Sequence, residues 1–135
     1  MDEIDQKIIN ALRQNSKLTY GSIGNKIGFS EAAVRKRVKN MLKDGVIKKF
    51  TIEVNQKSNA IVLISVNNLY STSAVSEMLQ KINGIESVSE ITGQFDVFVT
   101  ISAPNMIEVN KCVDAIREIE GVSGTNTMMV LKSWN

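Results

Sequence analysis

Residues 30–45, SEAAVRKRVKNMLKDG, decide how the first part of the chain folds. Apolar residues recur there at helical spacing, which predicts a helix with one buried face. The predicted buried stripe is Val34, Val38, Met41 and Leu42. Ser30 can cap the helix by accepting a backbone N–H, and Gly45 can take the left-handed conformation that ends it.

The opposite face of this helix is basic and begins with small residues. Alanines let a helix backbone come close to the DNA major groove, and long cations at its flanks reach phosphates. The candidate DNA-binding residues are Ser30, Ala32, Ala33, Arg35, Lys36, Arg37 and Lys39. We expect the four cations to contact phosphates, and we expect Ala32, Ala33 and Lys36 to contact bases. For an isolated helix, a merely solvated charged face is the alternative.

Two shorter amphipathic segments precede the basic helix. Residues 3–14 predict a helix that Asp2 can cap, with acidic residues in its first turn. Residues 20–26 predict a second helix, although its two glycines weaken that prediction. Three helices, with a glycine-containing turn at residues 28–30 between the last two, are typical of a helix-turn-helix domain.

Composition narrows the classes of function. The chain has 135 residues, no histidine and a single cysteine, Cys112, which is expected to be buried. Histidine-dependent catalysis, histidine metal sites and an intrachain disulfide are therefore excluded, and no cofactor or metal is expected. There is no run of about 18 apolar residues and no basic-then-apolar leader. We therefore expect a cytoplasmic, nucleoid-associated protein without a membrane span.

Charge is distributed unevenly along the chain. Residues 1–54 hold eleven Lys and Arg against six Asp and Glu, whereas residues 55–135 hold five against eight. The net charges are therefore +5 and −3. A basic first part joined to an acidic second part suggests a polyanion-binding domain coupled to a domain with another task.

The boundary between the two parts is predicted from a change in pattern. Residues 46–54 are rich in β-branched residues and predict a two-stranded wing or a single connecting strand. Residues 55–59, NQKSN, are polar and predict a linker. The predicted domains are thus a DNA-binding domain at residues 1–54 and a second domain at residues 60–135.

The second part predicts the order β-α-β-β-α-β. Strands are expected over residues 61–66, 85–92, 95–102 and 122–132. The predicted buried stripes of the two helices are Val75, Met78, Leu79 and Ile82, then Met106, Val109, Val113 and Ile116. This is the ferredoxin-like plan of an α+β fold, with both helices on one face of an antiparallel sheet. Apolar residues on the uncovered face predict dimerisation.

Three separated motifs resemble the Lrp/AsnC family of leucine-responsive transcription factors. Residues 27–50, IGFSEAAVRKRVKNMLKDGVIKKF, resemble its helix-turn-helix, with a loose match in the spacing before Leu42 and Gly45. Residues 2–9 are similar to the opening helix of the family. Residues 93–96, GQFD, resemble the G-x-Y/F-D turn of its RAM regulatory domain, and residues 121–127 match the usual end of that domain.

This resemblance implies a sequence-specific regulator that binds palindromic promoter DNA as a dimer or an assembly of dimers. It also implies that an effector, usually an amino acid, binds at a junction between subunits. Carried over, the effector-binding residues are Gly93, Gln94, Asp96, Thr125 and Thr127. A carboxylate can hold an ammonium group, and hydroxyls and turn amides can hold a carboxylate. Alternatively, the turn is a simple hairpin whose amides Asp96 binds.

Two other functions compete with that of a regulator. Some proteins of similar architecture resemble decarboxylases of the haem pathway, but the second part is acidic and lacks histidine, so we predict that the chain is not an enzyme. An architectural protein that packs DNA with little sequence choice has similar sequence features. The ratio of its affinities for promoter and bulk DNA distinguishes it from a regulator.

Overall fold

The computed structural model describes residues 1–55 and 58–134. It divides into two compact units, Met1–Glu53 and Val54–Asn135. The first unit contains α1 (Glu3–Gln14), α2 (Tyr20–Ile27) and α3 (Glu31–Lys43). The predicted helix caps Asp2 and Ser30 are confirmed, because each accepts a backbone N–H with its side chain, and Thr19 does the same at the start of α2. The caps satisfy donors that helix starts leave unpaired.

The core of the first unit is contributed by all three helices. It consists of Ile8, Leu12, Ile23, Val34, Val38 and Met41. The prediction that Leu42 belongs to this stripe is wrong, because its side chain is 40% exposed. Met41 lies three residues after Val38 and takes the last inward position, and Leu42 is rotated about 100° further round the helix. Gly45, at φ +74°, ends α3 as predicted.

Close packing at the turn between α2 and α3 explains why α2 contains Gly24, one of the two glycines that weakened its prediction. A Cβ atom on Gly24 would lie 2.3 Å from the backbone oxygen of Phe29. The Gly24 carbonyl also accepts the N–H groups of Gly28 and Phe29, at 2.8 and 2.9 Å. The chain after α2 therefore folds back directly over Gly24, and this contact sets the direction in which α3 begins.

The wing or connecting strand predicted over residues 46–54 is absent, since residues 46–55 form no strand in the part of the chain that the structure describes. A strand needs hydrogen-bonding partners, and this segment has no neighbouring strand in the first unit. The predicted linker also needs correction. Ser58 and Asn59 begin the first strand of the second unit, and residues 56 and 57 lie outside the described residues.

The second unit has the predicted order of strands and helices. The elements are β1 (Ser58–Val66), α4 (Thr72–Gln80), β2 (Ile85–Glu90), β3 (Val97–Ala103), α5 (Met106–Glu118) and β4 (Val122–Met129). The strands lie in the order β2-β3-β1-β4, and every neighbouring pair is antiparallel. The prediction of a ferredoxin-like α+β fold is confirmed. The second, third and fourth strands end or begin within two or three residues of their predicted positions.

One face of this sheet packs against both helices. Ala60, Val62 and Ile64 alternate along β1 and are buried against residues of α4 and α5 such as Leu79 and Ile116. Cys112 is buried there as predicted. Met78 and Met106 were predicted to be core residues, and this is wrong, because their side chains are 49% and 55% exposed. Each lies at the edge of its helix stripe, where no sheet residue covers it.

The close contact at Gly24 generates a stability prediction. Gly24→Ala should lower the free energy of unfolding of the first unit by about 1–3 kcal/mol, because a methyl group would overlap the Phe29 carbonyl. Gly21→Ala is the matched control, since its Cβ would meet the nearest atom at an ordinary 3.7 Å. It should stabilise α2 by up to about 1 kcal/mol.

Urea unfolding followed by far-UV circular dichroism measures both changes. Equal effects of the two substitutions would contradict the packing argument, because only Gly24 is approached by the backbone of the following turn.

Candidate functional site

The exposed face of α3 carries the predicted basic residues. Its N-terminal part presents Ala32 to solvent, while Ala33 is half-buried. Lys36, Lys39 and Lys43 follow on the exposed side, and none of them makes an ion pair with a described residue. The Ser30 hydroxyl accepts the Ala33 N–H at 3.1 Å, so Ser30 is occupied in capping the helix. These positions form a basic ridge with small residues at its start.

Arg35 lies on the flank of this face and is held by two neighbours. Its guanidinium forms an ion pair with Glu31, one turn earlier on the same helix. It also lies over the ring of Tyr20 in α2, with 5.9 Å between the guanidinium carbon and the ring centroid. These contacts orient Arg35 along the junction of α2 and α3, where it stays exposed.

Arg37 is bound inside the first unit. Its Nη1 atom lies 2.7 Å from Asp2 Oδ2 and 3.0 Å from Asp5 Oδ1, and its guanidinium carbon is 5.6 Å from the centre of the Phe29 ring. The hydrogen bond from Arg37 lowers the pKa of Asp2, and the two carboxylates raise the pKa of Arg37. This geometry argues against the predicted phosphate contact, since both carboxylates already bind the guanidinium. Arg37 instead ties α3 to the start of α1.

Sequence reasoning assigned Asp2 and Asp5 only to the cap and first turn at the start of α1. They form a capping box, in which each carboxylate accepts the backbone N–H of the other residue. Two carboxylates three residues apart lie on one side of the start of α1. This spacing was the sequence signal for a cationic partner that binds both of them. Only the fold shows that the partner is Arg37, thirty-two residues beyond Asp5.

Asp96, a candidate effector residue, joins two strands of the second unit. Its Oδ2 atom accepts the N–H of Val66 at the end of β1, at 2.7 Å, and its own N–H donates to the Ile64 carbonyl at 2.9 Å. Neither bond goes to an amide of the predicted turn. Gly93, at φ +116°, and Gln94 are exposed in the loop that Asp96 closes. Asp96 therefore ties this loop to the end of β1.

The predicted effector residues lie on two sides of β1 within one chain. Thr125 and Thr127 pair with Ile64 and Val62 of β1, whereas the loop containing Asp96 leads into β3 on the other side of β1. The Thr125 hydroxyl already accepts the Nε–H of Arg117 at 3.2 Å. β1 therefore lies between the two groups of predicted effector residues within one chain.

Sequence reasoning missed a contact between two loops near the end of β1. The Tyr70 hydroxyl donates to Glu120 Oε1 at 2.8 Å, and this bond raises the pKa of Tyr70. The ring of Tyr70 lies against Gly121, where a Cβ would come within 2.9 Å of it. No motif of the sequence signals this pair, because Tyr70 and Glu120 are fifty residues apart. The contact joins the loop after β1 to the turn before β4.

The described residues contain no cluster of three or more His, Cys, Asp or Glu side chains that could hold a metal ion. Over the same residues, no helix is long and apolar enough to cross a membrane. Burial raises the pKa of the Cys112 thiol.

Comparison with known proteins gave a match for each unit. Residues 1–48 match the family described as winged helix-turn-helix DNA-binding, and residues 59–135 match the Lrp/AsnC ligand binding domain. The HTH-type transcriptional regulator LysM of Sulfurisphaera tokodaii is 41% identical over 136 residues, covering 99% of this chain and 97% of that protein. The matched families and relatives are transcriptional regulators, not enzymes.

Two solved structures share the fold. The structure of B. subtilis LrpC is 25% identical, has a TM-score of 0.84, and matches over 100% of this chain and 97% of that one. The transcriptional regulator NMB0573 from Neisseria meningitidis, solved as an L-Met complex, is 19% identical and has a TM-score of 0.87. That match covers 100% of this chain and 92% of the other.

The ion pairs of Arg37 generate a prediction that separates stability from DNA contact. Arg37→Gln should lower the midpoint of thermal unfolding of the first unit by several degrees and leave the salt dependence of DNA binding unchanged. Lys36→Gln is the control, since it should keep the midpoint and reduce the slope of log K against log [salt] by about 0.9. A reduced slope in Arg37→Gln would contradict the structural role and support the phosphate contact predicted from sequence.

The stability difference between wild type and Arg37→Gln should also depend on pH. The pKa of folded Asp2 is lowered from its ordinary value of 3.8, so the contribution of the Arg37–Asp2 pair to stability is complete above that value. This contribution is lost as the pH falls through the lowered pKa, because Asp2 is then protonated in the folded protein as well as in the unfolded chain. Thermal unfolding from pH 7 to pH 2 measures this, and a difference that grows on acidification would contradict the assignment.

Proposed function

Because the chain belongs to the Lrp/AsnC family of transcriptional regulators, we propose that it binds palindromic promoter DNA as a dimer and responds to an amino acid. The observation that carries the DNA part is the exposed basic ridge on α3. We place the protein in the cytoplasm, on the nucleoid, because its proposed DNA partner is there.

Recognition of DNA follows from the order of residues along α3. Ala32 is exposed near the start of the helix and adds little bulk, so the backbone can approach the base edges. Lys36 lies one turn further along the same face and can reach a base or a phosphate. Lys39 and Lys43 continue the ridge towards the end of the helix and suit phosphates. Arg35 adds a cation at the flank.

Dimerisation is supported by the face of the sheet that the helices leave open. Leu63 pairs with Phe98, and Ile61 pairs with both Thr100 and Met128, so these side chains form adjacent rows on that face. Met128 is 42% exposed, and the other apolar residues of the rows are half-buried. An apolar patch rimmed by polar residues is typical of a protein interface. Two copies joined there present two α3 helices to one palindromic site.

Regulation by an amino acid is supported by the family of the second unit and by its exposed loop. The matched family is described as ligand-binding, and the N. meningitidis relative was solved with L-Met. The Asp96 carboxylate can attract an ammonium group, and the exposed loop at Gly93 and Gln94 can contribute amides. Since β1 separates this loop from Thr125 and Thr127, we propose a site at a junction between subunits.

The specificity prediction compares two duplexes of equal length. The region upstream of the protein's own gene should bind about 1,000-fold or more tightly than a scrambled version at physiological salt. Fluorescence anisotropy at two salt concentrations measures both affinities. A ratio near one, with steep salt dependence on both duplexes, would overturn the proposed specificity and favour an architectural DNA protein.

The effector prediction uses the same assay with each of the twenty amino acids. At least one should change the affinity for operator DNA by about 5–150-fold. Asp96→Asn should abolish this response without changing DNA affinity in its absence, because the amide oxygen can still accept the Val66 N–H while the charge is lost.

Asp114→Asn is the control for this experiment, since it makes the same change at an exposed position of α5. If no amino acid shifts the affinity, the effector proposal fails. If Asp96→Asn responds like wild type, Asp96 supports the loop without holding the ligand.

A further inference from the structure

We propose that a second basic surface of the first unit binds the DNA backbone outside the base pairs that α3 reads. The surface consists of Arg13, Lys17, Lys48 and Lys49, and we name it the flanking surface. The inference deepens the proposed function and rests on it for the orientation of the duplex. None of these four residues belongs to the helix from which recognition was predicted.

The four cations line one groove. Its walls are residues 12–17, at the end of α1 and in the turn after it, and residues 46–53, which follow α3. Residues 48–53 are all exposed, and so are Arg13 and Lys17. These residues of the groove are therefore accessible to a partner.

Ion pairing within the first unit leaves this surface positively charged. Asp2 and Asp5 bind Arg37, Glu3 binds Lys7, and Glu31 binds Arg35. By contrast, none of the four flanking cations makes an ion pair with a described residue. Glu53 is the one carboxylate among the groove residues. Four cations against one carboxylate create a field that attracts a polyanion.

The flanking surface is held at a defined position relative to α3. The Ile47 N–H donates to the Met41 carbonyl at 3.0 Å, and the Ile47 side chain packs against the core of the first unit. Lys48 and Lys49 come directly after this anchor. The start of the segment that carries Lys48 and Lys49 is therefore anchored to the end of α3.

The chemistry of the surface favours phosphates over bases. Lysine side chains are flexible point charges, and residues 48–53 form no helix or strand that could enter a groove of the DNA. Phe50 is 48% exposed beside the two lysines and offers an apolar surface for the sugar edge. Lys48 and Lys49 are therefore the residues of this segment that we expect to contact DNA phosphates.

The test is a double substitution, Lys48→Gln with Lys49→Gln, in the full-length protein. On a duplex that extends about ten base pairs beyond the operator on each side, the slope of log K against log [salt] should fall by about 1.8 per subunit, or about 0.9 for each phosphate that is no longer neutralised. Affinity near 0.1 M salt should fall by at least about tenfold. On a duplex trimmed to the operator, wild type and variant should differ much less.

The matched control is Lys7→Gln with Lys81→Gln, which removes two exposed lysines away from the groove. It should leave the slope within experimental error on both duplexes. If the flanking variant behaves like this control, the inference is overturned. Light scattering of the DNA-free variant checks assembly, and an altered oligomeric state with an unchanged slope would mean that the groove binds protein instead of DNA.

Glu53→Gln provides a readout in the opposite direction. It removes the carboxylate from the groove and should tighten binding to the extended duplex about two- to fivefold at low salt. Weaker or unchanged binding would count against the inference. Because backbone contacts ignore sequence, the slopes are also measured on scrambled DNA, where the same reductions are expected. Equal affinity of the wild type for operator and scrambled DNA would therefore overturn the proposed function. The flanking surface would still be tested by the change in the slope of log K against log [salt].

Discussion

Burial of one face of α3 is the constraint on which the DNA-binding unit depends. Val34, Val38 and Met41 must lie in the core for the three helices to pack, and this rotation alone determines which residues face outward. Burying three apolar side chains stabilises the unit by several kcal/mol, about 1.5–3 for each, whereas an exposed charge contributes little. The exposed ridge of Ala32, Lys36 and Lys39 is therefore a consequence of core packing.

Charge in the first unit is sorted by ion pairing as well as by composition. Four carboxylates bind cations within the unit, and these pairs occupy Lys7, Arg35 and Arg37. The hydrogen bond from Arg37 lowers the pKa of Asp2. Among the described residues, the unpaired cations include Lys36, Lys39 and Lys43 on α3 and the four cations of the flanking surface. Net charge alone does not distinguish the cations that are paired within the unit from those that are unpaired.

The two faces of the sheet in the second unit have different surroundings. Its strands alternate between residues that pack under α4 and α5 and residues on the open face. Ile64 and Val97 belong to the first set, while Leu63 and Phe98 belong to the second. The covered face provides the core of the unit, and the open face leaves Leu63 and Phe98 half-buried. Asp96 and Tyr70 secure the loops at the end of β1 through hydrogen bonds instead of through apolar packing.

The sequence by itself determined the helices, their caps and the order of the strands, because these depend on local periodicity and on side chains within a few residues. Residues 3–14 were predicted to be helical, and α1 has those bounds. Tertiary structure alone decided the roles of Arg37 and Asp96, whose partners lie thirty or more residues away. It also decided that residues 46–55 form no strand, since a strand exists only where a second one pairs with it.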